Sequence, residues 1–202
     1  MLGWVLRGAG LLLIAVISGL VWWYVQQDST PTAKPPAEST APQSAGVYAF
    51  TPHEQVREPR RDTDCAANSY GKIKEFFTRT ACRQLTRALY TTPTKDGRRV
   101  YTSVAVVRMA SADDAAKLRE LTDTDGTGNV NDLLRAKVAT VSGLEALSAG
   151  GYSATQHGDD VIIVESDFGP ADKRDEDADE KELDAICSDA IRLGDDLSAS
   201  GR

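Results

Sequence analysis

Two runs of alternating residues, joined by a tight turn, decide the fold of this chain. They read QLTRALYT (Gln84–Thr91) and RRVYTSVAVVRM (Arg98–Met109), and TPTKDG (Thr92–Gly97) lies between them. Valine, leucine, threonine and tyrosine at alternate positions are typical of β-strands, and Asp-Gly is a strong turn signal. We therefore predict a β-hairpin over residues 84–109.

Helices are predicted on both sides of this hairpin. Before it, aromatic and aliphatic residues recur at helical spacing, which predicts a helix over about residues 66–80. These residues are Tyr70, Ile73, Phe76 and Phe77. After it, Ser111 precedes the run ADDAAKLRELT and is placed to cap a second helix, whose first turn holds two aspartates that favour the helix dipole.

The same order of elements recurs further along the chain. Residues 152–156 and 161–166 alternate and predict a second hairpin, which turns through His157-Gly158-Asp159. A last helix is predicted over about residues 179–197, with Cys187 near the centre of its apolar face. The order helix, hairpin, helix, hairpin, helix predicts an α+β fold, in which an antiparallel sheet from the two hairpins is covered by helices on one face.

The first 25 residues predict a transmembrane anchor. The 18 residues Gly8–Val25 (GAGLLLIAVISGLVWWYV) carry no charge and, as a helix, nearly match the hydrocarbon thickness of a bilayer. Arg7 is placed at one interface and Trp22, Trp23 and Tyr24 at the other, where such side chains are favoured. The bulky end of the run lacks the small residues of a cleavage site, although a cleaved signal peptide and a buried soluble helix stay as alternatives.

Charge and composition around this run predict the topology. Arg7 precedes it and Asp28 follows it, so the positive-inside rule places the amino terminus in the cytoplasm and the rest of the chain outside. Residues 26–46 are rich in proline, serine, threonine and alanine, which predicts a disordered spacer. The expected organisation is an anchor in the cytoplasmic membrane (1–25), a spacer (26–46) and an extracytoplasmic α+β domain (47–202).

Overall composition excludes several protein classes. Of the 202 residues, 41% are hydrophobic and 26% are charged, which is ordinary for a globular protein and excludes a wholly disordered or fibrous chain. The formal net charge of −7 at pH 7 repels phosphate backbones, so nucleic acid is not an expected partner.

The three cysteines are expected to have structural roles. Cys65 and Cys82 bracket the first predicted helix, and outside the membrane such a pair can oxidise. A Cys65–Cys82 disulfide is the favoured pairing, and a Cys82–Cys187 disulfide or no disulfide are the alternatives, because connectivity does not follow from sequence. The two histidines form no local signature with a cysteine, so no catalytic thiol is predicted.

One segment, LTDTDGTGNVNDLL (Leu121–Leu134), carries side chains that suggest chemistry. The candidate cation ligands are Asp123, Asp125, Thr127, Asn129 and Asn131. Their spacing resembles that of a calcium-binding loop up to its ninth position, but the twelfth, which needs a bidentate carboxylate, is Leu134. Since aspartate, glycine and asparagine also suit turns, the main interpretation is a turn that leaves the second helix.

The same loop resembles the DxDGT motif of haloacid-dehalogenase-like phosphatases. The resemblance covers Asp123–Thr127 and implies Asp123 as the phosphoryl-accepting nucleophile and Asp125 as the acid/base. That family places the motif after a buried strand, whereas the residues before it here, KLRELT, are polar and helical.

A wider resemblance is carried by Cys82–Thr92, Val100–Leu121 and Asp125–Val130. These stretches are similar to a group of uncharacterised, membrane-anchored exported proteins of actinobacteria. The resemblance implies the architecture of anchor, spacer and domain, and it implies no activity.

The sequence as a whole predicts a binding or interaction module rather than an enzyme. It has no GxSxG or HExxH motif, and no catalytic set, metal site or cofactor is predicted. The expected function is that of a single-pass membrane-anchored protein that presents a non-catalytic domain to an envelope protein partner. The alternative is a calcium-dependent module or an envelope hydrolase centred on the loop of Asp123 and Asp125.

Overall fold

Strands and helices alternate along the chain in the predicted order. The structure, a computed structural model, describes residues 46–174 and 176–201. In chain order its elements are β1 (Thr51–Pro52), β2 (Arg60–Asp62), α1 (Gly71–Arg79), β3 (Gln84–Pro93), β4 (Arg99–Arg108), α2 (Ala112–Thr122), β5 (Gly151–His157), β6 (Asp160–Phe168) and α3 (Glu176–Ser200). The predicted α+β fold, with an antiparallel sheet and three helices, is confirmed.

The predicted anchor lies outside the described residues. This holds for Arg7, Trp22, Trp23 and Tyr24, and for the predicted spacer up to residue 45. In the part of the chain that the structure describes, every helix is too short or too polar to cross a bilayer.

The sheet joins the two predicted hairpins side by side. Its strands lie in the order β1-β3-β4-β6-β5, and β2 pairs with the half of β3 that β1 leaves free. Strands β3 and β4 form the first hairpin, β5 and β6 form the second, and β4 pairs with β6 between them, all antiparallel. Strands β1 and β2 have only two and three residues, which is too short for a sequence pattern to show.

Both faces of the sheet are covered, so the prediction of a single covered face is wrong. Every residue of β6 is buried, and so is every residue of β4 from Val100 to Val107. The reason lies in the runs Val104–Val107 and Val161–Val164, which are apolar at every position and therefore present apolar side chains to both faces.

Different elements cover the two faces. On the first face, α3 packs Leu183, Ile186 and Leu193 against Val104 and Ile162. The second face is covered by α1 and α2. Their contacts join Ile73, Phe77 and Leu118 to Leu85, Val107 and Ile163.

The irregular chain between α2 and β5 completes the second layer, which is the cover of the second face of the sheet. It packs four leucines against Leu89 and Tyr101 of the sheet, namely Leu133, Leu134, Leu144 and Leu147. The buried carboxylate of Asp132 shapes this segment, because it accepts hydrogen bonds from the backbone N–H of Leu134 at 2.8 Å and of Arg135 at 2.9 Å. Its second oxygen accepts from the N–H of Leu147 at 3.3 Å.

Local hydrogen bonds with side chains set the positions at which α2 and α1 begin. The Ser111 hydroxyl accepts a hydrogen bond from the Asp114 N–H at 3.2 Å, so the predicted cap of α2 is confirmed. Helix α1 begins at Gly71, later than predicted. A separate turn precedes it, in which the Asp64 carboxylate accepts from the Ala67 N–H at 2.8 Å.

Cys65 and Cys82 form the predicted disulfide. It fastens the turn before α1 to the chain that leads into β3, and a loop of this length stabilises a fold by about 3 kcal/mol in the chain-entropy model. Cys187 is fully buried on α3, as its place on the apolar face predicts. Burial raises the pKa of its thiol to about 12, so this cysteine stays protonated and unreactive.

The first described residues are fastened to α3. The backbone N–H groups of Val47 and Tyr48 donate to the two carboxylate oxygens of Asp189 at 3.1 and 2.9 Å. The guanidinium of Arg192, one turn further along α3, donates to the Tyr48 carbonyl at 2.8 Å. The chain therefore enters the domain along the helix that covers the first face.

Candidate functional site

A polar pocket opens in the second layer, where the cover of the sheet is incomplete. Its volume is about 520 Å³, within the range of about 300–1,000 Å³ that small-molecule sites occupy. Strands β5 and β6 form its floor, and the end of α2, the loop after it and the start of α1 form its walls. The polar side chains around it include those of Tyr70, Asp123, Asp125, Asn129, Arg135, Ser148, Tyr152 and Glu165.

The floor of the pocket carries a buried carboxyl group. Glu165 of β6 is only 7% exposed, and its Oε1 accepts a hydrogen bond from Nδ2 of Asn129 at 2.9 Å. Burial, with the nearby charge of Asp132, raises the pKa of this carboxyl to about 7, against the lowering effects of Asn129 and Arg135. Its second oxygen accepts no hydrogen bond from any residue that the structure describes.

Arg135 forms a positively charged wall. Its Nη2 donates to the Ser148 hydroxyl at 2.7 Å, and its guanidinium carbon lies 4.3 Å from the centre of the Tyr70 ring. A guanidinium in this position over an aromatic face is held by a cation–π interaction. Arg135 acts on Glu165 through charge alone, without a hydrogen bond or ion pair between them.

Two tyrosines add hydroxyl groups to the walls. Burial raises the pKa of Tyr70 and of Tyr152, so both phenols stay protonated at neutral pH and can donate hydrogen bonds. The Tyr152 oxygen is buried beside the side chain of Thr122, which lowers the pKa of the phenol, but in the described part of the chain no group reaches it in normal hydrogen-bond geometry.

The pocket brings together three of the five candidate cation ligands. Asp123 directly follows α2 and its carboxylate pairs with Arg119, while Asp125 is exposed in the loop. Both aspartates line the pocket together with Asn129. Asp123 therefore follows a helix, not the buried strand that the phosphatase motif requires.

The other two candidates are directed elsewhere. Thr127 is buried and its hydroxyl donates to the Thr124 carbonyl at 2.7 Å. Asn131 lies outside the pocket, and its carbonyl accepts from Arg87 at 2.8 Å. Among residues 46–174 and 176–201, no three histidine, cysteine, aspartate or glutamate side chains are grouped to hold a metal ion.

Two glycines allow the backbone at the start of α1 to contact the backbone of the loop that follows α2. At Gly128, φ is +84° and a Cβ would lie 2.4 Å from the Tyr70 carbonyl oxygen. At Gly71, φ is +62° and a Cβ would lie 2.5 Å from the Thr127 carbonyl oxygen. The N–H of Lys72 donates to that same Thr127 oxygen at 2.7 Å, so this contact holds one wall of the pocket in place.

Sequence reasoning missed the residues that give the pocket its charge. Glu165 falls within a predicted strand, and the signal that could have marked it is a lone carboxylate directly after four apolar residues, in VIIVE. Tyr70 was assigned to the apolar stripe of a helix. Arg135 carries no local signal, because its role depends on Tyr70 and Ser148, which are distant in sequence.

Substituting Gly128 with alanine should open this wall at a cost in stability. We expect Gly128→Ala to lower the free energy of unfolding by about 3 kcal/mol, because it adds backbone strain and a clash with a carbonyl group. Gly126→Ala is the matched control: its φ is +73° but nothing lies within 4 Å of its Cβ, so strain alone remains. Urea denaturation followed by circular dichroism measures both, and equal losses would contradict the close contact.

Glu165 should make stability depend on pH. Because its pKa is raised in the folded chain, its contribution is fully present below the unfolded pKa of 4.5 and is lost as pH rises through about 7. Between about pH 5 and pH 8, the wild type should therefore lose about 2.5 kcal/mol of unfolding free energy relative to Glu165→Gln. The exposed Glu145→Gln variant serves as control, and a Glu165→Gln variant that tracks the wild type at both pH values would refute the buried carboxyl.

Comparison with protein families, with curated proteins and with solved structures finds no match to this chain.

Proposed function

We propose that this chain is a single-pass membrane-anchored protein that holds a non-catalytic binding domain outside the cell, and that the pocket around Glu165 binds a small polar ligand. The observation that carries the proposal is the pocket itself. It has a volume of about 520 Å³, is walled by hydrogen-bonding groups and ends on a carboxyl group that is 7% exposed.

Unsatisfied polar groups support a binding role. Buried polar groups in native proteins almost always have hydrogen-bond partners, because leaving one unpaired costs free energy. In the described chain, the hydroxyl of Tyr152 is buried with no partner in normal hydrogen-bond geometry, and Glu165 lines the pocket with a single hydrogen bond, to Asn129. A polar ligand in the pocket would supply partners to both groups.

The sequence and the disulfide support the proposed location, with the chain anchored in the membrane and its domain outside the cell. Residues 8–25 form an uncharged apolar run long enough to cross a bilayer, and a proline-rich stretch separates it from the domain. The Cys65–Cys82 disulfide is typical of proteins outside the reducing cytoplasm. An envelope protein partner stays a prediction from this arrangement.

The hydrogen bonds of the pocket favour binding over catalysis. A nucleophile is activated by a base within hydrogen-bond reach. The Ser148 hydroxyl accepts from Arg135, which is not a base, and the Glu165 carboxyl meets an amide. The alternative, a calcium-dependent module or an envelope hydrolase, is favoured by one observation, namely that Asp123 and Asp125 line the same pocket.

Blocking the pocket tests the binding site. Ser148 is exposed at the pocket and Ser142 is exposed away from it, so Ser148→Trp should fill the opening while Ser142→Trp should not. We expect small polar compounds that bind the full chain in detergent, detected by saturation-transfer NMR, to bind Ser142→Trp equally and Ser148→Trp at least about tenfold more weakly. Binding that survives Ser148→Trp, or a broad screen without binders, would overturn the proposed site. Calorimetric titration of the same chain with calcium tests the alternative.

A reporter fusion tests the location. Alkaline phosphatase joined to the carboxyl terminus is active only where its disulfides form, so the full chain should give an active fusion that remains in the membrane fraction. Deleting residues 8–25 should abolish both properties because the apolar run is lost. Deleting residues 27–42 is the matched control and should change neither. An inactive full-length fusion would reject the extracytoplasmic placement.

A further inference from the structure

We infer that the ligand of this pocket is a small hydroxylated organic cation, whose primary ammonium group pairs with the carboxylate of Glu165. This inference rests on the proposed binding function and adds the chemical class of the ligand. It follows from the partners of each charged group around the pocket and from the space that the pocket leaves.

Glu165 has fewer partners than the neighbouring carboxylates of Asp123 and Asp132. Asp123 pairs with the guanidinium of Arg119. Asp132 accepts three backbone hydrogen bonds, from Leu134, Arg135 and Leu147. Glu165 receives one hydrogen bond, from an uncharged amide, and forms no ion pair with the rest of the described chain. A buried charge is stable only when it is paired, so this carboxylate has room for one cationic partner.

Among the described residues, the positive group that acts on Glu165 is Arg135, which is already engaged. Arg135 stacks on the ring of Tyr70 and donates to Ser148, and it influences Glu165 only through space. Asp125 lines the same pocket and adds negative charge, while the charge of Asp123 is offset by Arg119. A cationic ligand complements this distribution of charge, whereas an anion would meet the carboxylates of Glu165 and Asp125.

The shape of the pocket favours an organic ammonium group over a metal ion. Calcium takes six to eight oxygen ligands, and residues 46–174 and 176–201 hold no cluster of three acidic, histidine or cysteine side chains for a metal. An ammonium group has three N–H donors and is satisfied by a few acceptors, such as the second oxygen of Glu165. A volume of about 520 Å³ also leaves space for a ligand body.

The walls of the pocket favour hydroxyl groups on that body. The phenol of Tyr152 is buried without a hydrogen bond in the described chain, and the phenol of Tyr70 also lines the pocket. Tyr152 can donate to a ligand oxygen, whereas Tyr70 already has the Ser148 hydroxyl as a hydrogen-bonding neighbour. A hydrocarbon ligand would leave the phenol of Tyr152 unpaired, at a cost in affinity.

Binding should depend on pH through Glu165. The groups that face it are Asn129, Asp132 and Arg135 from the irregular chain, Tyr70 before α1 and Tyr152 from β5. Since the carboxyl titrates at about pH 7 in the empty pocket, only a minor fraction is ionised near pH 6 and most is ionised near pH 8. An ammonium ligand should therefore bind about tenfold more tightly near pH 8 than near pH 6.

Matched amines and alcohols test the inference on the full chain in detergent. Glucamine is compared with sorbitol and ethanolamine with ethylene glycol, and NMR titration gives each dissociation constant. Both amines are protonated over the pH range used, so the members of each pair differ mainly in charge. We expect each amine to bind at least about tenfold more tightly than its neutral counterpart near pH 8.

Variants assign that difference to one carboxyl group. Glu165→Gln should weaken amine binding at least about tenfold and remove its pH dependence, and it should weaken sorbitol binding much less. Glu145→Gln removes an exposed carboxylate outside the pocket and should alter neither. Circular dichroism confirms that both variants remain folded.

Results that contradict the ammonium ligand can be told apart from results that contradict the proposed binding function. Equal affinity for amine and alcohol, or unchanged amine binding by Glu165→Gln, overturns the ammonium ligand but leaves a binding pocket. Binding of calcium or magnesium, without amine binding, replaces the inference by a metal site. If none of the four probes binds, the hydroxylated-cation inference is rejected, and the screen with the Ser148→Trp variant decides separately whether the pocket binds any ligand.

Discussion

The burial of the two central strands on both faces is the constraint on which the rest of the structure depends. Strand β6 exposes no residue, and β4 is buried from Val100 to Val107. Apolar side chains on both sides of a sheet lose their stabilising free energy unless both sides are shielded from water. One long helix, α3, shields the first face, but no second long helix exists among the described elements, so shorter pieces share the second face.

The candidate site is a result of this divided second layer. Helices α1 and α2 and the irregular chain after α2 meet without closing completely, and the gap lies over the point where β6 changes from apolar residues to Glu165. The backbone contact between Gly71 and Gly128 and the hydrogen bonds of Asp132 hold the edges of the gap. A pocket with rigid edges suits selective binding, because little ordering remains when a ligand enters.

Features encoded within a few residues could be predicted from the sequence, and features that need distant contacts could not. The turn at Asp96-Gly97, the cap at Ser111 and the helical face around Cys187 depend on neighbours in the chain. The second layer and the surroundings of Glu165 depend on chain that has no regular period, and Asn129 reaches Glu165 across 36 positions. The run Val104–Val107 did carry the missing signal, since a strand that is apolar at every position is buried on both faces.

The hydrogen bonds from the backbone of Val47 and Tyr48 to the carboxylate of Asp189 have a mechanical consequence. Any tension on the chain before Gly46 enters the domain through these two amides, and so loads helix α3 on the first face of the sheet. The pocket lies on the second face, behind the hydrogen-bonded strands. The point that takes the load and the point that faces a ligand thus lie on opposite faces of the same hydrogen-bonded sheet.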